Sequence, residues 1–360
     1  MTESEEPRIT VYGATGHTGR LVCRELARRG ADFVAAGRNF EKLQHLSVRL
    51  GEAFGCVPTL RAADVGDRAS LDSMLDRTNV LINCAGPFTE LGPPVVEAAV
   101  RNGTHYLDTT GEQSYLRWIK EEVAEGAADE EVVVLPCCAY EYATGMMAAD
   151  LAVEQGASRV VVCYAVSDFS TSPGTKKSIV RSIASGGVGY AGGRLVERRP
   201  AERVYEVPLP NRKHRSGLWF PGGEAILLPE LAEVDLAESC LMVDDWVGGL
   251  LPKMSGVLSG LANTLRPVTD RMIDWTSRRE GEEPWETETP FEVIAFDPET
   301  DEWQAVLSGY EPYHTTARLI VEAASRLDQR SELSYGLQSP PALFDTREFA
   351  EAVDVEIQTP

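Results

Sequence analysis

Three glycines spaced three apart, Gly13-x-x-Gly16-x-x-Gly19, follow an apolar run that begins at Ile9. They precede a segment carrying Leu21, Val22 and Leu26 on one helical face. Strand, tight turn and helix in that order form the setting in which such glycines serve a dinucleotide. The backbone bends closely enough to approach a diphosphate, whose charge rests on the free N–H groups of the helix N-terminus. Thr15, His17 and Thr18 complete the turn and are candidate cofactor contacts with Gly13, Gly16 and Gly19.

The second apolar run, 33–36, ends at Gly37-Arg38-Asn39, and Lys42 stands one turn into the next helix. A chain that binds NAD carries Asp or Glu at this point, accepting from the ribose hydroxyls. A guanidinium suits a 2′-phosphate instead. Arg38, Asn39 and Lys42 therefore favour NADP(H), the plain alternative being a surface arginine that caps a strand. A third strand ends at Ala63-Asp64-Val65, where Asp64 could accept from the adenine amine or cap the following turn. The buried run 80–84 leads into Cys84-Ala85-Gly86-Pro87-Phe88, small residues beside which a cofactor can pass close to backbone.

These groups must be positioned by a sheet. From Ile9 to about Leu135, apolar runs alternate with helical patterns, the mark of a parallel α/β domain. A helix is expected from near Pro93-Pro94 to Asn102-Gly103, a fifth strand at 105–108, and a last one at 132–135. Beyond Ala157 the pattern changes. A long strand at 159–166 and a short helix at 177–185 precede a glycine-punctuated bend at 186–193. Strand-like stretches follow near Leu195 and at 204–207, 225–228, 291–296 and 303–308, with helices at 315–327 and 345–353. The fold class expected is α/β: an NADP-binding Rossmann domain over 1–150, and a second, α+β domain over 151–334 built on a mixed or antiparallel sheet. Residues 335–360 are expected to pack back on the first domain.

The motifs GATGHTG at 13–19, GRN at 37–39, NCAGPF at 83–88 and YLDTTGE at 106–112 resemble the saccharopine dehydrogenase-like oxidoreductases, which include bacterial trans-acting enoyl reductases. SPGTKKS at 172–178, PGGE at 221–224 and YEPY at 310–313 extend the likeness over most of the chain. The resemblance implies a reductase that uses NADP(H). One segment departs from the pattern: many members carry G-F-D-S-x-P-S-D after the sixth strand, and this chain has AYEYATG at 139–145. Short-chain dehydrogenases share the glycine turn, but their chemistry needs a Tyr and a Lys four apart on one helix. None of the 11 tyrosines here has a Lys at that spacing.

The catalytic candidates are Tyr140, Glu141 and Tyr142, which leave the last strand of the sheet, with Asp108 at the end of the fifth strand and Thr175 facing them from the second domain. Reduction of an enoyl thioester puts negative charge on the thioester oxygen and then requires a proton, so a phenol or hydroxyl donor is the minimum. Asp108 reads as an orienting group more than as an acid. The expected activity is NADPH-dependent reduction of a C=C or C=N bond in an acyl, carrier-bound or lipid-like substrate. The alternative is a non-catalytic NADP(H)-binding sensor or membrane-docking protein.

Charge and composition bound the partners. The net charge of −22 argues against nucleic acid. Seven cysteines without C-x-x-C spacing point to reduced thiols and a cytoplasmic setting, and five scattered histidines give no metal-ligand spacing. The first eight residues lack the basic and apolar regions of a signal peptide. Between 176 and 215, ten basic residues face three acids, a patch that would suit an anionic or carrier-bound substrate, or else pair with acids elsewhere in the fold. Residues 246–275 carry apolar residues at helical spacing, consistent with a substrate tunnel, a peripheral membrane contact, or a core or dimer helix. A homodimer is expected.

Overall fold

In the computed structural model, residues 8–166, 186–199, 202–211, 213–243, 289–300, 302–330 and 332–360 are described. The central strand β1 (Ile9–Tyr12) has a neighbour on each side and is buried at all four residues, as a strand covered on both faces of its sheet must be. These are β2 (Phe33–Gly37) and β4 (Val80–Asn83), paired in parallel with Val11 opposite Ala35 and Ile82. The sheet is completed by β3 (Thr59–Ala62), β5 (His105–Asp108), β6 (Val133–Leu135) and the short β15 (Gly336–Leu337). Its order is β15-β6-β5-β4-β1-β2-β3, parallel throughout. Chain direction along the sheet reverses between β1 and β4, and ligands of such sheets lie beyond the strand ends at that reversal.

Helices cover the sheet as its parallel pairing requires. In α1 (His17–Arg28), the apolar stripe Leu21, Val22 and Leu26 is buried. The next helix, α2 (Phe40–Phe54), is capped at its start by the Asn39 side chain, which accepts from the Lys42 amide. Next, α3 (Arg68–Met74) is capped by Asp67. The helix expected from Pro93-Pro94 begins earlier, as α4 (Phe88–Arg101), and holds both prolines inside it. Prolines mark a helix start only because the first-turn N–H groups have no partner to lose. Here the tertiary burial of Phe88, Val95, Val96, Ala98 and Ala99 offsets that loss.

Two compact units divide the chain, and neither is contiguous. The first comprises Met1–Thr110, Ser114–Ala143 and Tyr313–Asp345. The second comprises Gly111–Gln113, Thr144–Pro312 and Thr346–Pro360. The expected division at 150 thus falls at 143. The long C-terminal helix, Pro312–Gln329, and β15 belong to the Rossmann unit, whereas 346–360 does not: its strand β16 (Glu356–Gln358) extends the second sheet.

That second sheet has nine strands among the described residues. They are β7 (Arg159–Val166), β8 (Gly187–Ala191), β9 (Arg194–Arg198), β10 (Val204–Pro208), β11 (His214–Phe220), β12 (Leu236–Val243), β13 (Pro290–Asp297), β14 (Glu302–Tyr310) and β16. It is mixed, with β12 and β7 parallel and the other pairs antiparallel. Gly192 and Gly193, both at positive φ, make the two-residue turn between β8 and β9 that such a twisted hairpin needs. Residues 225–228, expected as a strand, lie instead in a helix, Glu224–Leu231, buried from Glu224 to Leu228. A short run buried on every side has no period to reveal its type. Thr175 and the 172–178 segment, the 177–185 helix, and the 246–275 stretch lie outside the described residues.

Candidate functional site

The turn after β1 shows why its glycines are spaced as they are. Gly13 stands at φ +78, and a Cβ there would lie 2.8 Å from both the Ala85 nitrogen and the Cys84 carbonyl carbon. Its small size thus lets the ends of β1 and β4 meet. Gly16, the N-cap of α1, donates to the Gly13 carbonyl at 2.9 Å and brings no side chain to satisfy the first amides of the helix. A Cβ at Gly19 would run into the Gly13 carbonyl oxygen, so the third glycine seats the helix on the turn.

Beside this turn lies a cavity of about 250 Å³ lined by Tyr12, Gly13, Thr15, Gly16, Gly37, Arg38, Asn39, Lys42, Val65, Cys84, Ala85, Gly86 and Leu91. Arg38 and Lys42 are both exposed, and neither side chain makes a hydrogen bond or ion pair among the described residues. Two cations at the rim of one cavity without a carboxylate partner suit a phosphate. Six of the expected cofactor residues do not line it. His17 instead packs on Tyr313, and Thr18 follows it into the first turn of α1. Gly19 is buried under the turn, Pro87 is the N-cap of α4, and Phe88 packs on Tyr115. The carboxylate of Asp64 accepts from the Gly66 amide at 2.8 Å, closing its own turn, while Val65 reaches the cavity.

Tyr12, Gly37 and Leu91 escaped the sequence reading, since a strand-end tyrosine looks like core. Tyr12 is core as well as wall: its hydroxyl donates to the Ala63 carbonyl at 3.4 Å and holds β1 to the turn that carries Val65. Burial and then the charge of Asp64 push the Tyr12 phenol up, against the pull of Arg38.

The Cys84–Gly86 side of the cavity is held from beneath. Asn83, wholly buried, accepts from the Ala85 amide at 3.0 Å and donates to the Tyr106 hydroxyl at 3.0 Å, which in turn meets Tyr115. Burial and then the neighbouring Asp108 raise the Cys84 thiol to about 12, so it faces the cavity as a neutral group. One oxygen of Asp108 accepts from the amides of Thr110 and Cys137, each at 2.9 Å, and the Asp108 carbonyl accepts from the Cys138 amide. Asp108 therefore organises the segment that leads to Tyr140.

That segment is strained. Tyr142 sits at φ 69, ψ −47, in the left-handed half of the map that an aromatic residue rarely enters. Glu141, at ψ 145, interrupts the helix Tyr140–Glu154 at its start. Tyr140 and Tyr142 are buried and Glu141 is half-buried. The Tyr140 amide donates to the Thr316 hydroxyl at 2.9 Å. None of these three lines the cavity beside the glycine turn, yet strain of this kind persists where surrounding contacts over-determine it, and it concentrates at working sites.

In the second unit, two arginines of the basic patch are paired with acid, while Lys176, Lys177, Arg181 and Arg212 lie outside the described residues. Arg198 pairs with Glu238 at 2.9 Å and Arg203 with the same acid at 3.4 Å, where Tyr205 also bonds it. Arg203 lines an open groove of about 710 Å³ whose other charged residues, Glu202, Glu206 and Asp297, are acidic. The reading of arginines paired within the fold therefore describes Arg198 and Arg203. Glu224 of the PGGE motif is fully buried and bonded to Tyr164 and Ser239. Burial pushes its carboxyl up against those two bonds. No helix among the described residues is long and apolar enough to cross a membrane.

Residues 9–163 match the family model described as the saccharopine dehydrogenase NADP binding domain. The chain is 34% identical over 148 residues to the saccharopine dehydrogenase-like oxidoreductase of Homo sapiens, covering 37% of this chain and 34% of that protein. It is also 34% identical over 135 residues to a Mycobacterium tuberculosis protein bearing a trans-acting enoyl reductase name, covering 37% of this chain and 32% of the other. The matched stretch thus spans about a third of the length of these curated relatives. Among solved structures, apo saccharopine dehydrogenase (L-Glu forming) from Saccharomyces cerevisiae aligns over 98% of this chain and 99% of its own, with a TM-score of 0.59 and 15% identity. That agreement is one of fold.

Proposed function

We propose that this chain, whose residues 9–163 match the saccharopine dehydrogenase NADP binding domain, is an NADPH-dependent reductase acting on a C=C or C=N bond. The observation that carries the cofactor reading is the pair of unpartnered cations, Arg38 and Lys42, at the rim of the cavity beside the glycine turn. Bound NADPH supplies the hydride. The chain supplies the rest. The turn from Gly13 to Gly19 holds the diphosphate, Arg38 and Lys42 hold the 2′-phosphate, and Ala85 and Gly86 let the cofactor lie against backbone.

Tyr140 is the proposed proton donor, its phenol stabilising charge that develops on a substrate oxygen or nitrogen. Asp108 fixes the segment before it and does not itself move a proton. The enoyl reductase name of one relative favours an acyl substrate, carrier-bound or lipid-like, over an imine.

The test is turnover. Purified protein with NADPH and a panel of enoyl thioesters and imines should lose NADPH absorbance with at least one of them. Binding of NADPH without turnover across the panel would replace the reductase with a non-catalytic NADP(H)-binding protein. Tyr140→Phe should lower kcat and leave the Kd for NADPH in place.

A further inference from the structure

Two side-chain contacts, in the same order along both segments, tie the C-terminal helix Pro312–Gln329 to α1. At their starts the ring of Tyr313 meets that of His17 edge-on, with centroids 4.7 Å apart at 80°. Further along, Glu322 in the middle of the C-terminal helix bonds Arg29, just past the end of α1, at 2.6 Å. His17 is the first residue of α1, directly after Gly16, so its amide belongs to the set of N-terminal N–H groups that an incoming diphosphate would use. Three residues beyond Tyr313, on the same face of its helix, Thr316 accepts from the Tyr140 amide. One turn of a helix made late in the chain therefore touches both the dinucleotide turn and the segment that carries the proposed proton donor.

We infer that Tyr313 is a positioning residue of the cofactor site, acting through His17 to hold the first turn of α1 in the shape that receives the diphosphate. The inference rests on the reading that the Gly13–Gly19 turn holds NADP(H). The cavity itself is lined by β1, β2, the turns after β1 to β4 and the first turns of α2 and α4, so Tyr313, which reaches the turn through His17, is the C-terminal segment's own contribution. An edge-on aromatic pair constrains where the imidazole can sit, and the backbone of His17 moves with its ring. Loss of the pair frees the helix start to shift by the few tenths of an ångström that matter to several short hydrogen bonds at once.

The test uses the full chain and two probes, NADPH and adenosine 2′-phosphate, which reaches the Arg38 end of the cavity but carries no diphosphate. Tyr313→Leu should weaken NADPH binding by about two- to tenfold, the scale of one lost aromatic pair, and leave adenosine 2′-phosphate affinity unchanged. Tyr313→Phe, which keeps the ring, should bind NADPH as the wild type does. Glu322→Gln serves as the control. It breaks the ion pair at the other end of the same helix contact and should lower the melting temperature without moving the Kd for NADPH. Equal NADPH losses in Tyr313→Leu and Glu322→Gln would reduce Tyr313 to helix docking and overturn the inference. Equal losses for the two probes, or no loss in Tyr313→Leu, would overturn it as well. Wild-type protein that does not bind NADPH would remove the cofactor reading itself, an outcome distinct from all of these.

Discussion

The side-chain amide of Asn83 donates to the Tyr106 hydroxyl across 3.0 Å, and both side chains are wholly excluded from solvent. Through its other atom, Asn83 fixes the Ala85 amide. A residue that reads as the polar end of a buried strand is thus the support for one wall of the cavity.

Asn83→Leu keeps the volume and removes both bonds. The Tyr106 hydroxyl loses a partner in a dry interior, at about 1–3 kcal/mol for an unsatisfied group, partly relieved by Tyr115, and the half-buried Ala85 amide loses the bond that holds it. We expect a clear drop in melting temperature together with weaker NADPH binding. Thermal denaturation and fluorescence titration read the two. A fall in stability with NADPH affinity untouched would show that the turn after β4 keeps its shape without Asn83.

Arg38→Ala should separate the two nicotinamide cofactors. Hydrogen bonds to charged groups contribute about 1.5–3 kcal/mol each, so affinity for NADPH should fall on the order of tenfold to a hundredfold. NADH, which has a bare ribose hydroxyl, should bind the variant about as it binds the wild type. Equal losses for both cofactors would remove the 2′-phosphate from Arg38.

Gly16 and Gly19 should respond unequally to alanine. A Cβ at Gly16 would come to 3.2 Å from the Gly13 oxygen at an ordinary φ of −72, a fit that small adjustments relieve. At Gly19 the methyl would collide with backbone that has Ala85 behind it and cannot retreat. Gly19→Ala should cost about 1–3 kcal/mol, the usual penalty of overpacking, and abolish NADPH binding. Gly16→Ala should cost well under that. Chemical denaturation curves for the pair would decide, and equal costs would contradict this account of the spacing.

Glu224 makes stability depend on pH. Burial raises its folded pKa above the ordinary value of 4.5, against the bonds from Ser239 and Tyr164. With the folded value the higher one, its contribution is complete below pH 4.5 and is lost as pH climbs towards the folded pKa, because the unfolded chain ionises first. Glu224→Gln preserves shape and bonding capacity but cannot ionise. The melting temperature of the wild type relative to this variant should therefore fall between pH 4 and pH 8. A constant difference across that range would mean that Glu224 does not titrate between the two states.

Much of the first unit could be read in advance because its signals are local. The Gly13, Gly16 and Gly19 spacing, Arg38 after the second strand, and the small residues after β4 lie within a few positions of the elements that present them. What escaped was either aperiodic or long-range. Ala225 to Leu228 is too short and too evenly apolar to show a period, and it is a buried helix. β12 was hidden because Glu238 and Ser239, buried polar residues satisfied by Arg198 and Glu224, break its apolar run. The partnership of Tyr140 with Thr316 spans 176 positions, and no pattern at either end announces the other. The acid that pairs with Arg198 and Arg203, Glu238, comes some 35–40 positions later, so the sequence left ligand binding and pairing within the fold as open alternatives there.

The division of each unit into separate stretches also sets a timetable. Residues up to Ala143 hold six of the seven strands of the nucleotide-binding sheet, but the helix tied to α1, and the edge strand β15, come only after Pro312. At a synthesis rate of about 5–20 residues per second, that wait lasts roughly ten to thirty-five seconds. The partners that the later helix brings to α1, Tyr313 for His17 and Glu322 for Arg29, are made only at the end of it. Every residue that lines the cavity is made before Tyr313, so the aromatic contact on His17 is a late addition to that unit.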